Sequence, residues 1–422
     1  MPRPGRHLRL TRREILAASG AALLVAGCEP RGGAGVPETL LGPLVGHTTD
    51  TTAALWVAAA PRSRLTVRWR RETETAHATG PFADLASDAH HGSVYRRTLT
   101  NLLPDTRYLY RVFWNEHTEE GWAGSFRTAR APSAPGLTRI GVSSCMKPKF
   151  PGTSFERLRL EDPHFHLLLG DNAYHDSTRP ELIWQAHRAM RSVPQLAALL
   201  RHVPTYAIWD DHDYGGDDAD GTLEGKHRSL ASFRDLFANP SYGLPQVPGI
   251  FSRFSWGDVE LFLLDVRFER SPNKAPDGPE KRVLGAAQFE WLAAGLGASR
   301  ARFKLICSGS ALEAHESDTW RDFPTDRARL FAMLAERRVN GVVFLTGDLH
   351  RCLVQLHAPE RTGTYAIPEV ISSGIANSKH LGFAMLEIDT RLADPTLAVR
   401  ILEGDGRVSQ QQTFRCSELQ GR

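Results

Sequence analysis

The sequence predicts an α/β protein carrying a small all-β domain in front. Three observations predict it. Apolar and polar residues alternate with period two through residues 39–130. From residue 137 onward short apolar runs alternate with helix-patterned stretches. The strongest polar clusters fall immediately after those apolar runs, where an open α/β sheet collects its ligands.

The front segment contains Thr52–Val57, Leu65–Trp69 and Tyr108–Trp114, separated by turn residues. β-branched and aromatic enrichment with period two marks half-buried strands, and about seven such segments make a small sandwich. The stretch Leu102-Leu103-Pro104-Asp105-Thr106-Arg107-Tyr108-Leu109-Tyr110 resembles the turn into a late strand of fibronectin type III domains. A linker at Ala129–Gly136 follows. The α/β part offers strands at Arg139–Ser143, Phe165–Leu169, Thr205–Trp209, Val259–Leu264, Phe303–Cys307 and Val342–Leu345, with helices at Pro180–Leu200, Gly285–Leu296 and Asp326–Arg338. The expected organisation is 1–27 leader, 28–38 linker, 39–130 sandwich, 137–405 α/β domain and 406–422 tail.

The leader accounts for the charge. Of 422 residues, 51 are basic and 48 acidic, but residues 1–27 hold Arg3, Arg6, Arg9, Arg12 and Arg13 against Glu14 alone. The rest of the chain carries 46 basic and 47 acidic residues, a balance that excludes an electrostatically driven nucleic-acid binder. Paired Arg12-Arg13 precede an apolar run, Ile15–Ala26, well short of the roughly 20 residues that span a bilayer. The run reads as an export signal of the twin-arginine kind. Its end, Val25-Ala26-Gly27-Cys28, resembles a bacterial lipobox, which would acylate Cys28 and leave a periplasmic or cell-surface lipoprotein whose contact with the membrane is the lipid anchor. Five cysteines are too few for a disulfide framework. A Cys352–Cys416 bridge stays open, and Cys307, inside an apolar strand, reads as core.

Four polar clusters follow apolar strands: Ser144-Cys145, Gly170-Asp171-Asn172-Ala173-Tyr174, Asp210-Asp211-His212-Asp213, and Thr346-Gly347-Asp348-Leu349-His350. Carboxylate, thiolate and imidazole suit metal cations, and crowded carboxylates repel unless a cation neutralises them. The acidic run Gly216–Gly221 fails the EF-hand pattern, because placing Gly221 sixth puts Gly216 first and His227 twelfth, where carboxylates belong.

Gly170-Asp171-x-x-Tyr174, Trp209-Asp210-Asp211-His212-Asp213 and Thr346-Gly347-Asp348-x-His350 resemble the motifs of alkaline phosphatase D (PhoD-like) metallophosphatases, in the calcineurin-like phosphoesterase superfamily. Leu264-Asp265-Val266-Arg267 is similar to that family's Leu-Asp-Thr-Arg, and Gly285-x-x-Gln288-x-x-Trp291-Leu292 to its Gln-x-x-Trp-Leu helix. The resemblance covers about residues 137–390. It implies an α/β/β/α metallophosphoesterase sandwich behind the fibronectin-like front. It implies a ferric ion held by Cys145, Asp171, Tyr174 and His350, with Asp171 bridging to a second site at Asp211 and Asp348. Calcium is the family's choice there; zinc, manganese or a second iron are the choices of other two-metal relatives. It further implies attack on phosphorus by a metal-bound hydroxide, with His212 as acid–base group oriented by Asp213, and Arg267 as a phosphate contact. The expected substrate is a phosphate mono- or diester. The alternatives are a phospholipase D-like phosphodiesterase or a non-catalytic lipoprotein that keeps the fold.

Overall fold

The computed structural model describes residues 41–88, 92–114, 121–150, 152–377 and 381–421. The export signal, Cys28 and the 28–38 linker lie outside the described residues. The described residues form one compact unit.

The front segment supplies β1 (Leu41–Thr48), β2 (Ala53–Ala59), β3 (Leu65–Arg71), β4 (Ala78–Pro81), β5 (Ala83–Asp88), β6 (Gly92–Leu99), β7 (Arg107–Trp114) and β8 (Trp122–Arg127). They form two four-stranded sheets, ordered β1-β2-β6-β5 and β4-β3-β7-β8. The period-two pattern explains how they pack. Val45, Leu55 and Val57 meet Leu65, Val67, Tyr110, Val112 and Phe126 between the sheets. The alternate residues Leu44, Trp56 and Ala58 point the other way and join the core of the α/β part. Almost all of β2 is therefore buried, because a strand covered on both faces has no solvent side to reserve for polar residues.

The α/β part runs β9 (Leu137–Ser143), α1 (Thr153–Leu160), β10 (Phe165–Leu169), α2 (Pro180–Arg191), α3 (Pro194–His202), β11 (Thr205–Ile208), α4 (Asp211–Tyr214), α5 (Lys226–Leu236), β12 (Ser252–Trp256), β13 (Val259–Leu263), α6 (Ala286–Ala298), β14 (Phe303–Ser308), α7 (Pro324–Glu336), β15 (Val342–Thr346), β16 (Cys352–His357), β17 (Ile367–Ser372), β18 (Gly382–Asp389), β19 (Thr396–Glu403) and β20 (Val408–Arg415). Two six-stranded sheets result, β11-β10-β9-β18-β19-β20 and β12-β13-β14-β15-β17-β16. Strands β9, β10 and β11 are parallel, as are β13, β14, β15 and β17. One continuous apolar core holds Val142, Leu168 and Leu386 from the first sheet with Leu261, Ile306 and Leu345 from the second.

Two expectations are corrected, and the open pairing of Cys352 with Cys416 is answered. The single helix predicted over Pro180–Leu200 is two, because Pro194 cannot donate to the preceding turn and instead opens α3 at its first position. The α/β part does not end at residue 405: β20, in the expected tail, pairs along β19 as the sheet's edge, and Leu419 is buried. Its polar, half-exposed Gln410–Thr413 run hid a strand that only needs one covered face. Cys352 and Cys416 are free thiols, as are Cys145 and Cys307.

Front and body are fastened by buried polar contacts. Trp56 Nε1 donates to Asp235 O at 2.6 Å and Tyr110 Oη to Arg201 O at 2.9 Å. His47 N donates to Ala238 O at 2.7 Å. A Cβ added to Gly46 would lie 2.4 Å from that of Ala238, so only glycine fits.

Several histidines sit in this core uncharged. Burial pushes His166 and His164 down to about 3 and His202 to about 4. Unfolded histidine titrates near 6.5, so the folded state binds fewer protons below that pH. The stability they contribute is present above about pH 6.5 and lost as pH falls towards their folded values. His166→Asn should therefore flatten whatever fall in melting temperature the wild type shows below about pH 6.5, and a pH profile parallel to wild type in calorimetry would contradict this account.

Candidate metal centre

The register of the strands brings the four polar clusters together. Leu168 of β10 pairs with Ser143 of β9, and Leu169 with Ile208 of β11. Cys145, Asp171 and Asp211 therefore leave the first sheet side by side. In the second sheet Thr346 pairs with Ser308 and with Ile371, so Asp348 and His350 leave beside Ser373. Two glycines allow the sheets' ends to meet. Gly170 has φ +97°, and a Cβ there would sit 2.6 Å from that of Asp210; a Cβ at Gly347 would lie 2.7 Å from Leu169 O.

Cys145, Asp171, Asp348 and His350 all have left-handed backbone, with φ of 58°, 55°, 72° and 52°. Such conformations cost non-glycine residues about 1–3 kcal/mol each and persist where surrounding structure enforces them, commonly at functional sites. Here the enforcement is visible: Cys145 N donates to Gly170 O at 3.2 Å, and His350 N to Ser373 Oγ at 2.8 Å.

Two groups of potential ligand atoms overlap at Asp171. Cys145, Asp171 and His350 form one; Asp171, Asp211 and His212 form the other, with ligand atoms in each lying within 4.8 Å of one another. Tyr174 joins the first, donating from Oη to Asp171 Oδ2 at 2.6 Å and lying 3.0 Å from His350 Nε2. Asp348 belongs to neither group; it lies on the Asp210–Asp211 side, and its carboxyl feels both. Asp211 accepts from His212 N and from Asp218 N, both at 2.9 Å.

The electrostatics ask for cations. Burial, then the charge of Asp211, pushes Asp171 well above the carboxylate range; burial, then Asp210, does the same to Asp348. Burial and the nearby Asp171 also raise the Cys145 thiol, and burial lowers His350. Asp171 Oδ1 is buried without a hydrogen-bond partner. An orphaned carboxylate oxygen between a thiol and a second carboxylate fits a bridging metal ligand.

Two expected roles change. Arg267 is not open to a ligand: its side chain is fully buried, with Nη2 2.5 Å from both Asp210 Oδ1 and Asp318 Oδ2. A guanidinium held by two buried carboxylates is a structural counter-charge. Asp213 does not orient His212. Its carboxylate accepts from Asn172 N, Asn172 Nδ2 and Ala173 N at 3.0–3.1 Å, pinning the loop that carries Asp171 and Tyr174. The carboxylate on His212 Nδ1 is Asp176, whose Oδ1 lies 2.5 Å away, while the exposed Asp217 stands 3.9 Å from Nε2.

Asp176 escaped sequence reading, although it lies in the same post-strand loop as Asp171. So did Asn377, whose Nδ2 donates to Tyr174 Oη at 2.7 Å and lies 2.5 Å from His350 Nε2, and the role of Ser373, which matches a family stretch in sequence and whose Oγ lies 3.0 Å from Cys145 Sγ. Both follow β17, and the strand-end rule applied to Ile367–Ser372 would have found them.

A family model described as PhoD-like phosphatase matches residues 140–385. The chain belongs to the PhoD-like phosphatase family. Alkaline phosphatase D of Bacillus subtilis strain 168 is 26% identical over 377 residues, which is 74% of this chain and 64% of that protein. The chain thus matches less than two thirds of that relative's length. A solved structure of PhoD superposes with a TM-score of 0.71 at 17% identity, covering 90% of this chain and 93% of its own. Purple acid phosphatase PPD1 from yellow lupin seeds gives a TM-score of 0.67 at 14% identity, covering 89% of this chain and 74% of its own. These two likenesses establish a shared fold.

The PhoD-like motif Trp209–Asp213 therefore divides its work, and two substitutions separate the parts. Asp176→Asn should leave metal content and melting temperature unchanged while lowering kcat, since the His212 ring loses the carboxylate that holds its Nδ1. Asp213→Ala should lower the melting temperature and metal content together, because three donors of the Asp171 loop lose their acceptor. Identical effects of the two would refute the division.

Proposed function

We propose that this PhoD-like chain is an exported, metal-dependent phosphohydrolase acting on phosphate mono- or diesters at a two-metal site. The observation that carries the reading is the pair of ligand groups sharing Asp171, beside a histidine that is itself held by a carboxylate. The donor set supports an iron position at Cys145, Asp171, Tyr174 and His350. Asp171, Asp211 and Asp348 would hold the second cation, with calcium the family's choice. When bound, the cations supply charge neutralisation and polarisation of the phosphoryl oxygens.

The chain's own residues do the rest. Asp176 at Nδ1 would fix His212 in the form that presents Nε2 outward, a tautomer assigned from its hydrogen bond. From Nε2 the protonated ring would deliver a proton to the leaving oxygen. The ring of Tyr174 packs on His212 at 4.2 Å between centroids and restricts its rotation. Asn377 would hold Tyr174 and His350 in register. Arg267 would act from behind, compensating Asp210 so that the carboxylates nearer the mouth face the cations.

The twin-arginine leader and the lipobox at Cys28 support export to the periplasm or cell surface, with the anchor as the sole membrane contact. We read residues 41–127 as fibronectin type III-like; the β1-β2-β6-β5 and β4-β3-β7-β8 sheet orders support this.

Purified, metal-loaded protein should turn over p-nitrophenyl phosphate, bis(p-nitrophenyl) phosphate or both. A preference for the diester of about a hundredfold in kcat/KM would assign it as a phosphodiesterase. Less than half an equivalent of bound metal with no turnover of either ester after reconstitution would defeat the proposal. His212→Ala should lower kcat by about two to four powers of ten with metal content intact. In iron-loaded protein Tyr174→Phe should abolish the visible tyrosinate-to-iron absorption, and an unchanged spectrum would remove Tyr174 from the ligand set.

A further inference from the structure

With Arg267 enclosed, the phosphate site lacks the cationic side chain that the sequence suggested for it. The loop after β9 supplies another. Met146 forms a β-bridge with Ala376, Lys147 N donates to Ala376 O at 2.8 Å, and Phe150 N donates to Lys147 O at 3.2 Å. These contacts fasten Lys147 beside Asn377. Its ammonium lies 3.8 Å from the centroid of the Tyr174 ring, the ring that also packs on His212.

Lys147 has no carboxylate within ion-pair distance among the described residues, and its side chain is half-exposed. Several other described cations nearby are committed. Arg351 is paired with Glu316, Lys226 donates to Gly221 O and Phe268 O, and Arg267 and Arg270 share Asp318. A cation resting on an aromatic face is held by a modest electrostatic attraction. That is weak enough for a flexible lysine to turn its three donors towards an incoming anion.

We propose that Lys147 is a substrate-binding residue that contacts a free phosphate oxygen and favours esters carrying a second negative charge. This inference rests on the phosphohydrolase reading above. A phosphate monoester has a second pKa near 6 and carries a charge of about −1.5 to −2 at neutral pH. A simple diester carries a single negative charge. One ammonium at the mouth therefore discriminates between them by electrostatics, without any pocket for the alcohol group.

The test compares wild type, Lys147→Gln and Lys147→Arg as metal-loaded protein. Calorimetric titration with inorganic phosphate reads binding without turnover. Lys147→Gln should weaken phosphate affinity about tenfold, the worth of one charge-assisted hydrogen bond, and Lys147→Arg should restore most of it. In kinetics the same loss should appear in KM for p-nitrophenyl phosphate. The KM for bis(p-nitrophenyl) phosphate should change by less than about threefold. Equal phosphate affinity in Lys147→Gln and wild type would overturn the proposal, as would equal losses on both esters. If wild type turns over neither ester, the phosphohydrolase reading fails, and the phosphate titration alone still decides the role of Lys147.

Discussion

The rest of the site is arranged around one electrostatic problem. Asp171, Asp210, Asp211 and Asp348 converge from three strand ends into a region where burial and mutual repulsion raise Asp171, Asp210 and Asp348 above the ordinary carboxylate range. Protein-borne charge solves part of it. Arg267, supported by Asp318 and through it by Arg270, compensates Asp210 from the interior. Removing one member of such a buried network costs about 3–5 kcal/mol, because the partner is left charged and alone. No comparable counter-ion reaches Asp171 from the described residues; its close neighbours are Cys145 Sγ and Tyr174 Oη. The part of the charge left uncompensated is the part that faces the candidate ligands. Arg267 is thus kept behind the site, and the carboxylates in front of it are left to the proposed metal ions.

The spacing of Trp209-Asp210-Asp211-His212-Asp213 follows from the same constraint. The segment enters the four-residue helix α4, with Asp210 as its N-cap and reciprocal capping between Asp210 and Asp213. Positions three apart share a helix face. Asp210 and Asp213 therefore turn inward, one to Arg267 and the other to the Asn172–Ala173 backbone. Asp211 and His212 turn towards the site. Three acidic residues in a row of four would be poor design on a strand. On one tight helical turn each meets a different environment, and only Asp211 is left to face a cation.

Much of this was legible because strands announce their ends. Phe165–Leu169 was predicted with its observed bounds, and the position of Asp171 followed from it. What stayed hidden was partnership in space. Nothing in the sequence distinguishes a carboxylate that holds a histidine from one that holds a loop, so Asp213 was given the role that Asp176 fills. Arg267 next to an apolar strand looks the same whether it faces a ligand or two buried aspartates. The alternation of β2 gave its type, but not that Trp56 on its outer face is as buried as Leu55 on its inner one. Gln410–Thr413 lacks the apolar signal of a core strand because β20 lies at an edge.

The burial of Trp56 bears on the site itself. The front segment grips the body at two places that lead to the metal ligands. Tyr206 of β11 donates from Oη to Thr48 O at 3.2 Å and accepts from Thr48 N at 3.1 Å; Asp211 lies five residues further along. Trp56, Gly46 and His47 hold residues 235–238 at the end of α5. The same helix begins where the acidic 217–221 loop, which supplies the Asp218 N–H to Asp211, returns to the body. Arg191 adds to this seam, stacking over Trp56 at 4.6 Å and donating to Leu236 O at 2.6 Å. The sandwich therefore braces both the strand that delivers Asp211 and the helix that follows its covering loop. Its removal would uncover Trp184, on which Trp56 stacks, and also release the second ligand group from two of its anchors.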